Sequence, residues 1–184
     1  SSVYEIAPSL QHELGFDFDA YFTTSEAKVL AEANDAEDFY VKGPGIAEDE
    51  PVNHAMAEGL LKDFFEQIQK TNQSTLRAGA ILRFTHAEII VPFASLLKIP
   101  ALTQPLPLNQ NYSYTSSAWR GELIAPFSAN VQWDTFRNSQ GSMIVRMLYN
   151  EKETNFKLQC NSAKLHPQSY FYELSALMTC YSAH

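Results

Sequence analysis

The sequence predicts an α/β fold in which a central mixed sheet is flanked by helices and joined to a mainly helical cap. Apolar residues recur at helical spacing before residue 75 and again near the end of the chain, and strand-like apolar runs lie between them. The chain has 184 residues, 45% of them hydrophobic, which is enough to form a core. We therefore expect the helical cap in residues 1–75 and the sheet in residues 76–184.

Helices are predicted throughout the N-terminal portion. Ser25 can cap a helix that continues through Glu26, because a serine hydroxyl accepts a hydrogen bond from a free backbone N–H. The run Lys42-Gly43-Pro44-Gly45 is a break, and the acidic residues before Pro51 favour a new helix start. The apolar face of this second helix is expected to pack in the core and consists of Met56, Leu60, Leu61, Phe64, Phe65 and Ile68.

The middle of the chain begins with an apolar run at residues 78–86, which is predicted to be a strand buried on both faces. Residues 89–99 suit a short helix with Pro92 in its first turn, where a missing N–H is tolerated. Residues 100–119 are rich in Pro, Gln, Asn and Ser, so we expect a long loop there.

The last part of the chain is predicted to complete the sheet. Residues 122–136 and 142–159 suit strands, with a hairpin turn at residues 150–154. The tail after Pro167 suits one more helix, and its apolar residues are Phe171, Leu174, Leu177 and Met178.

The charge of the chain argues against one class of function. Its formal net charge is −8 and its pI is near 5.0, whereas nucleic-acid binding needs a basic face. No apolar run is long enough for a transmembrane helix, and no signal peptide is recognisable. Walker A and dinucleotide-binding glycine motifs are absent, so no cofactor is expected. Because the chain starts at Ser1 rather than methionine, we expect it to be processed or part of something longer.

The two cysteines, Cys160 and Cys180, lack the spacing of a zinc site or of a redox motif. Glycosylation sequons begin at Asn72 and Asn111. Together with the even number of cysteines, these sequons favour a protein of the secretory-pathway lumen, or a secreted one, with a disulfide between Cys160 and Cys180. The alternative for the cysteines is a pair of buried free thiols.

His86 and Glu88 lie where the predicted strand gives way to the next helix. The N–H groups of a helix N-terminus attract phosphate, and His86 could donate to a phosphate oxygen. Glu88 could protonate a leaving oxygen if burial raised its pKa. The alternative is structural, because a hydrogen-bonded histidine and a glutamate in the first turn are both ordinary at such a position. A zinc deaminase site, which also begins His-x-Glu, is excluded because the second motif, Pro-Cys-x-x-Cys, is absent.

The run LRFTHAEIIVPFASLLKI, residues 82–99, resembles the His-Ala-Glu segment of the histidine acid phosphatases, and especially of their multiple inositol polyphosphate phosphatase branch. Residues 40–45, YVKGPG, are similar to the Lys-Gly-x-Gly turn of that branch, and residues 53–68 to the segment that follows the turn. Residues 119–131, WRGELIAPFSANV, resemble the strand with the Pro-Phe-x-x-Asn pattern. The resemblance therefore extends from about residue 37 to about residue 150.

The resemblance implies a histidine-phosphatase-like fold that is incomplete without an N-terminal segment. This chain would be the C-terminal half, and residues 76–184 would be the C-terminal part of the α/β catalytic domain. The implied activity is hydrolysis of inositol polyphosphates, such as phytate, through a phosphohistidine. His86 would bind the phosphoryl group, Glu88 would donate the proton, and Lys42 could approach a polyphosphate, although a solvated loop lysine is the alternative for it.

The nucleophile of the family lies in an Arg-His-Gly motif, which this chain lacks because none of its arginines is followed by histidine. We therefore expect a companion N-terminal chain to carry that motif. The alternative is a non-catalytic phosphate-binding or storage protein that keeps a degenerate phosphatase fold. The two hypotheses differ in whether a second polypeptide with Arg-His-Gly accompanies this one.

Overall fold

Helices form the first part of the chain in the computed structural model, which describes residues 2–17, 21–48, 50–73 and 78–182. These helices are α1 (Ser2–Leu14), α2 (Thr24–Val41), α3 (Glu50–His54) and α4 (Glu58–Asn72). A 3-10 turn, Ala55–Ala57, joins α3 to α4. The mainly helical character expected for this portion agrees with the elements observed.

The N-cap of α2 is Thr23, not Ser25 as predicted. The Thr23 hydroxyl accepts a hydrogen bond from the Glu26 backbone N–H at 3.3 Å, and the Glu26 carboxylate accepts one from the Thr23 backbone N–H at 2.8 Å. This reciprocal pair satisfies two backbone donors at once, which Ser25 could not do because Glu26 is its immediate neighbour.

The apolar face predicted for residues 56–68 is buried over α4 but not before it. Leu61, Phe65 and Ile68 are buried, whereas Met56 is 63% exposed. Met56 lies in the 3-10 turn, which changes the rotation per residue and so turns its side chain away from the face that α4 presents to the core.

The strand predicted at residues 78–86 is wrong for this chain. The segment has no regular structure, and α5 (Ala87–Leu97) begins directly after it. Leu82 is 75% exposed and Phe84 is 92% exposed. A strand buried on both faces needs hydrogen-bonded neighbours, and none of the strands in the described ranges pairs with these residues.

Other local predictions also differ from the structure, among them Phe171, which lies in a strand and not in the final helix. Pro92 lies inside α5, beyond its first turn, because the helix begins earlier than expected. Residues 122–130 are not part of a strand: a short helix, α6 (Gly121–Ile124), is followed by turns. The Gly121 N–H donates to the Asp35 carboxylate of α2 at 3.1 Å, and this contact with a distant element fixes the start of α6. The loop predicted at residues 100–119 is confirmed.

The sheet is antiparallel and is built around its second strand. The strands are β1 (Val131–Arg137), β2 (Met143–Tyr149), β3 (Lys152–Thr154) and β4 (Phe171–Glu173). β1 pairs with one edge of β2 over its full length. β3 and β4 share the other edge, β3 opposite residues 147–149 and β4 opposite residues 144–146. The predicted hairpin turn is confirmed at Asn150 and Glu151, where φ is 48° and 66°, but residues 152–154 form β3 rather than part of the turn, and residues 155–159 are not part of a strand.

Helices cover the sheet, so the predicted α/β class is confirmed. The predicted mixed sheet is not observed, because the strands of the described residues all pair antiparallel. A 3-10 turn (Leu158–Ala163) and a final helix, α7 (Leu174–Ser182), follow the first three strands. One buried cluster includes Phe39 of α2, Phe65 of α4, Leu97 of α5, Val145 of β2 and Leu177 of α7. Residues of both predicted portions contribute to this cluster, and a domain boundary near residue 75 stays a prediction.

The predicted disulfide is confirmed. Cys160 in the second 3-10 turn is bonded to Cys180 in α7, with their Cα atoms 5.7 Å apart. Next to it, the Tyr181 hydroxyl donates to the Leu97 carbonyl at 3.1 Å and so holds α7 against the end of α5. No helix in the described part of the chain is both long and apolar enough to cross a membrane.

Candidate active site

His86 is the N-cap residue of α5 and has an extended backbone, with φ −137° and ψ 178°. Its carbonyl accepts hydrogen bonds from the N–H groups of Ile89 at 3.0 Å and Ile90 at 3.3 Å. Its imidazole does not cap the helix. The ring is therefore available for other contacts at the positive end of the helix dipole.

His86 and Glu88 contact each other directly, through Nδ1 of the imidazole and Oε2 of the carboxylate. The two side chains remain 71% and 55% exposed. The hydrogen bond from His86 lowers the pKa of Glu88, and the Glu88 backbone N–H and the charge of Lys42 act in the same direction. Burial acts in the opposite direction but is outweighed, so the pKa of Glu88 is not raised as a proton donor would require.

Lys42 lies close enough to Glu88 for their charges to interact. It is the C-cap residue of α2, and its Nζ donates to the Asp38 carboxylate at 2.9 Å. The pKa of Lys42 is raised, first by this hydrogen bond and further by the negative charges of Asp38 and Glu88. The structure thus brings the three residues that the sequence selected, His86, Glu88 and Lys42, into one electrostatic environment.

The turn after Lys42 has a conformation that depends on glycine. A Cβ on Gly43 would lie 2.8 Å from the backbone of Phe39, and a Cβ on Gly45 would lie 2.0 Å from the side-chain nitrogen of Asn53. Gly45 also has φ +59°, which L residues rarely adopt. Two backbone hydrogen bonds of 2.9 Å, from Ala47 to Leu106 and from Leu106 to Gly45, hold this turn against the loop that follows α5. The backbone that carries Lys42 is therefore firmly placed.

Arg83 contacts α4 just before the site. Its Nε donates to Oδ2 of Asp63 at 2.7 Å, and its guanidinium lies over the Phe64 ring, 4.6 Å from the centroid. The sequence contains no local signal for this pair, because the two residues are 20 positions apart. Arg83 is thus a candidate site residue whose carboxylate partner only the fold reveals.

The two predicted glycosylation sites lie in different parts of the chain. Asn111 is exposed in the loop between α5 and α6, where its side chain is open to solvent. The Asn72 side chain and Ser74 of the other sequon lie outside the described residues. Among the residues that are described, no group of three His, Cys, Asp or Glu side chains is arranged to hold a metal ion.

The part of the chain that contains this site is similar to a known protein family. Residues 10–150 match the family described as the histidine phosphatase superfamily (branch 2). The chain belongs to this superfamily. The matched range of this histidine phosphatase chain contains Lys42, His86 and Glu88.

Two curated relatives of this chain carry the same name. Multiple inositol polyphosphate phosphatase 1 of Homo sapiens is 26% identical over 141 residues, which are 71% of this chain and 28% of the relative. The Gallus gallus protein of the same name is 24% identical over 169 residues, 87% of this chain and 37% of the relative. The predicted branch is confirmed, and the chain spans about a third of the length of these relatives.

Solved structures agree with this assignment. The Bifidobacterium longum multiple inositol polyphosphate phosphatase in complex with inositol hexasulfate is 39% identical, with a TM-score of 0.80, covering 91% of this chain and 34% of that one. The same enzyme in complex with phosphate gives 38% identity and a TM-score of 0.79 over 91% of this chain and 35% of that one. The described elements of this histidine phosphatase chain therefore have the arrangement of part of that fold.

Proposed function

We propose that this chain is part of a phosphomonoesterase that hydrolyses inositol polyphosphates, such as phytate, through a phosphohistidine intermediate. The observation that supports it best is the exposed His86–Glu88 pair at the N-terminus of α5, in a histidine phosphatase whose relatives are named for inositol polyphosphates. An exposed imidazole and carboxylate on a helix N-terminus can meet a phosphate group without displacing any core residue.

In this proposal His86 binds the phosphoryl group and Glu88 protonates the leaving alkoxide. Glu88 must then hold a proton, although in the chain as described its pKa is lowered by His86. A bound polyphosphate would reverse that effect for two reasons. Its negative charge opposes ionisation of Glu88, and its oxygens compete with Glu88 for the His86 ring. Lys42 would add positive charge opposite one of the substrate phosphates.

The nucleophile has to come from outside this chain. In an in-line displacement the nucleophile and the proton donor act on opposite sides of phosphorus, so Glu88 cannot do both. A companion segment carrying Arg-His-Gly would supply the nucleophilic histidine and a phosphate-binding arginine. Leu82 and Phe84 support this proposal because they are exposed apolar residues of the kind that a neighbouring strand covers.

A secreted or lumenal location fits the same proposal. The Cys160–Cys180 disulfide is typical of oxidising compartments, and exposed Asn111 is open to glycosylation. Asn72 is proposed as a second glycosylated residue on its sequon alone. Intact mass before and after enzymatic deglycosylation checks this, since unchanged mass would remove the glycoprotein part of the proposal.

The test of the proposed function compares this chain alone with the chain co-purified with a segment bearing Arg-His-Gly from a related enzyme, called here the assembled enzyme. We expect phosphate release from phytate by the assembled enzyme and none by the chain alone. Replacing the histidine of Arg-His-Gly by alanine is the control and should abolish release. Hydrolysis by the chain alone would contradict the need for a companion. Phytate binding without hydrolysis in the assembled enzyme would favour the phosphate-binding or storage protein instead.

A further inference from the structure

We infer that Arg83 is a positioning residue that fixes the N-terminus of α5, with His86 and Glu88, relative to α4 by its contacts with Asp63 and Phe64 of that helix. The inference rests on the proposed function, since it concerns how well Glu88 reaches the leaving oxygen. Arg83 lies three residues before His86, and its guanidinium is directed at Asp63.

The contact between Arg83 and α4 has several components. Both Nε and Nη2 of Arg83 donate to Oδ2 of Asp63, with the Nε distance 2.7 Å. The other oxygen, Oδ1, accepts a hydrogen bond of 2.8 Å from Gln67 one turn later on α4. The hydrogen bond from Gln67 is the largest factor that lowers the pKa of Asp63, and Arg83 adds to it, so the carboxylate stays charged to receive the guanidinium. The Asp63 carboxylate is thereby held in place from its own helix.

The chain on either side of Arg83 has few other means of support. In the described part of the chain, Leu82 and Phe84 point to solvent, with 75% and 92% of their surface exposed. Arg83 is the exception, because its side chain is only 27% exposed and lies against α4. The position of the segment that leads into His86 therefore depends on this side chain.

Phe64 connects the two sides of the site. Arg83 lies over its ring from the segment before His86. Phe93 of α5, after His86, contacts the same ring with centroids 5.3 Å apart. His86 thus stands between two residues that both pack on Phe64, and this arrangement restricts how far the N-terminus of α5 can shift. Trp133 of β1 contacts Phe64 as well, at 5.1 Å, which fixes the group to the sheet.

The chemical consequence depends on the leaving group. An inositol alkoxide needs a proton as it leaves, so a displaced Glu88 slows that step, whereas p-nitrophenolate leaves readily without one. A small displacement of a catalytic group can reduce the rate by up to about a hundredfold. Loss of positioning should therefore slow phytate hydrolysis more than hydrolysis of p-nitrophenyl phosphate. A general loss of folded protein would reduce both rates equally.

The experiment measures kcat and KM of the assembled enzyme on both substrates for Arg83→Ala, Asp63→Asn and the double variant. We expect each single variant to lower kcat on phytate about tenfold, with KM little changed, and to change kcat on p-nitrophenyl phosphate less than about threefold. The double variant should be no worse than either single one, because both remove the same contact. Arg83→Lys should restore part of the phytate rate, since it keeps the charge but loses the two-donor geometry.

The matched control is Lys62→Ala, which removes an exposed cation from the same helix, paired with Glu66 at 3.8 Å. This variant should leave kcat and KM unchanged on both substrates. Equal losses on the two substrates, or none, in Arg83→Ala would overturn the inference while the activity of the parent keeps the proposed function intact. Amide hydrogen exchange on this chain alone gives a readout that needs no activity. Arg83→Ala should speed exchange of the Ile89 and Ile90 amides, which donate to the His86 carbonyl, and unchanged exchange there would overturn the inference even if the assembled enzyme were inactive.

Discussion

Glu88 is ionised more readily than usual in this chain, whereas the proposed reaction needs its carboxyl group to hold a proton. In this chain it is a carboxylate held by His86, and its pKa is below the ordinary value. The same contact holds its side chain near the imidazole, where a phosphate would also bind. The proposed role as proton donor therefore requires that the bound polyphosphate raise the pKa of Glu88, so that the carboxyl group holds a proton when the alkoxide leaves.

Replacing Glu88 tests its role as proton donor. In the assembled enzyme, Glu88→Gln should lower kcat on phytate by about a hundred- to ten-thousandfold, the usual range for general acid catalysis, with little change in phosphate binding. His86→Ala is the comparison and should weaken both binding and turnover. A Glu88→Gln enzyme within a few-fold of the parent on phytate would remove Glu88 from that role.

The acidity of Glu88 can be measured without catalysis. His86 and Lys42 both stabilise the charged form, so His86→Ala should raise the Glu88 pKa towards its ordinary value, and Lys42→Ala should raise it less. A pKa that is lower in the folded chain than in the unfolded chain adds to the free energy of unfolding at pH values above the unfolded-state pKa. This stabilisation by Glu88 is lost as the pH falls through its pKa in the folded chain. Carbon NMR titration of the Glu88 carboxyl in the chain alone reports the pKa. An unshifted or lower pKa in His86→Ala would contradict the assigned cause.

At the scale of elements, the spacing of residues correctly predicted features that depend on neighbouring residues in the sequence. The burial of Leu61, Phe65 and Ile68 follows from their period along α4, and the turn at residues 150–151 from the polar run between two strands. The errors are of another kind. Residues 78–86 have the composition of a buried strand but lack pairing partners in the described chain, and residues 122–130 follow a helix start that Asp35 fixes from α2.

The candidate site divides in the same way. His86 and Glu88 were identifiable from sequence because they are neighbours at a change of pattern. Arg83 and Asp63 were not paired in advance, because the two residues are 20 positions apart and no local pattern connects them. The lowered pKa of Glu88 was also missed, since it depends on solvent exposure and on a particular imidazole contact.

Two glycines provide a matched test of the turn after Lys42. Gly45→Ala should lower the free energy of unfolding by at least about 1–2 kcal/mol, because an L residue at positive φ is strained and its Cβ would also displace the Asn53 side chain. Gly59→Ala should raise it by about 0.5–1 kcal/mol, because Gly59 lies in α4 with no atom near its would-be Cβ. Urea denaturation measures both. Changes of the same sign would mean that backbone conformation does not control the stability of this turn.

At the scale of the whole molecule, the surface carries several exposed apolar side chains. Leu82, Phe84 and Phe127 are 75%, 92% and 100% exposed. The formal charge of −8 keeps copies of the chain apart at long range but does not cover these groups. Contact with another surface would be favourable for each of them.

The purified chain alone should therefore self-associate as its concentration rises. Combined Leu82→Ser and Phe84→Ser substitution should reduce self-association, and it should also weaken capture of the companion segment. Leu108→Ser is the control, because Leu108 is 71% exposed but lies in the loop after α5. Analytical ultracentrifugation measures association. Equal effects of Leu108→Ser and the double substitution would show that residues 82–84 are not a specific contact surface.

The central place of β2 has a consequence for the order in which the sheet forms. β1 and β3 follow or precede β2 through short turns, so their pairing closes small loops at little entropic cost, whereas β4 returns only after the second 3-10 turn. The edge of β2 that pairs with β1 should thus become protected early in refolding. On the opposite edge, residues 144–146 of β2 should stay unpaired until β4 forms. Pulsed hydrogen exchange would resolve the two edges, and simultaneous protection would contradict this order. Until β4 arrives, this half-formed edge is a place where a second chain could pair, and its lifetime sets how much time such mispairing has.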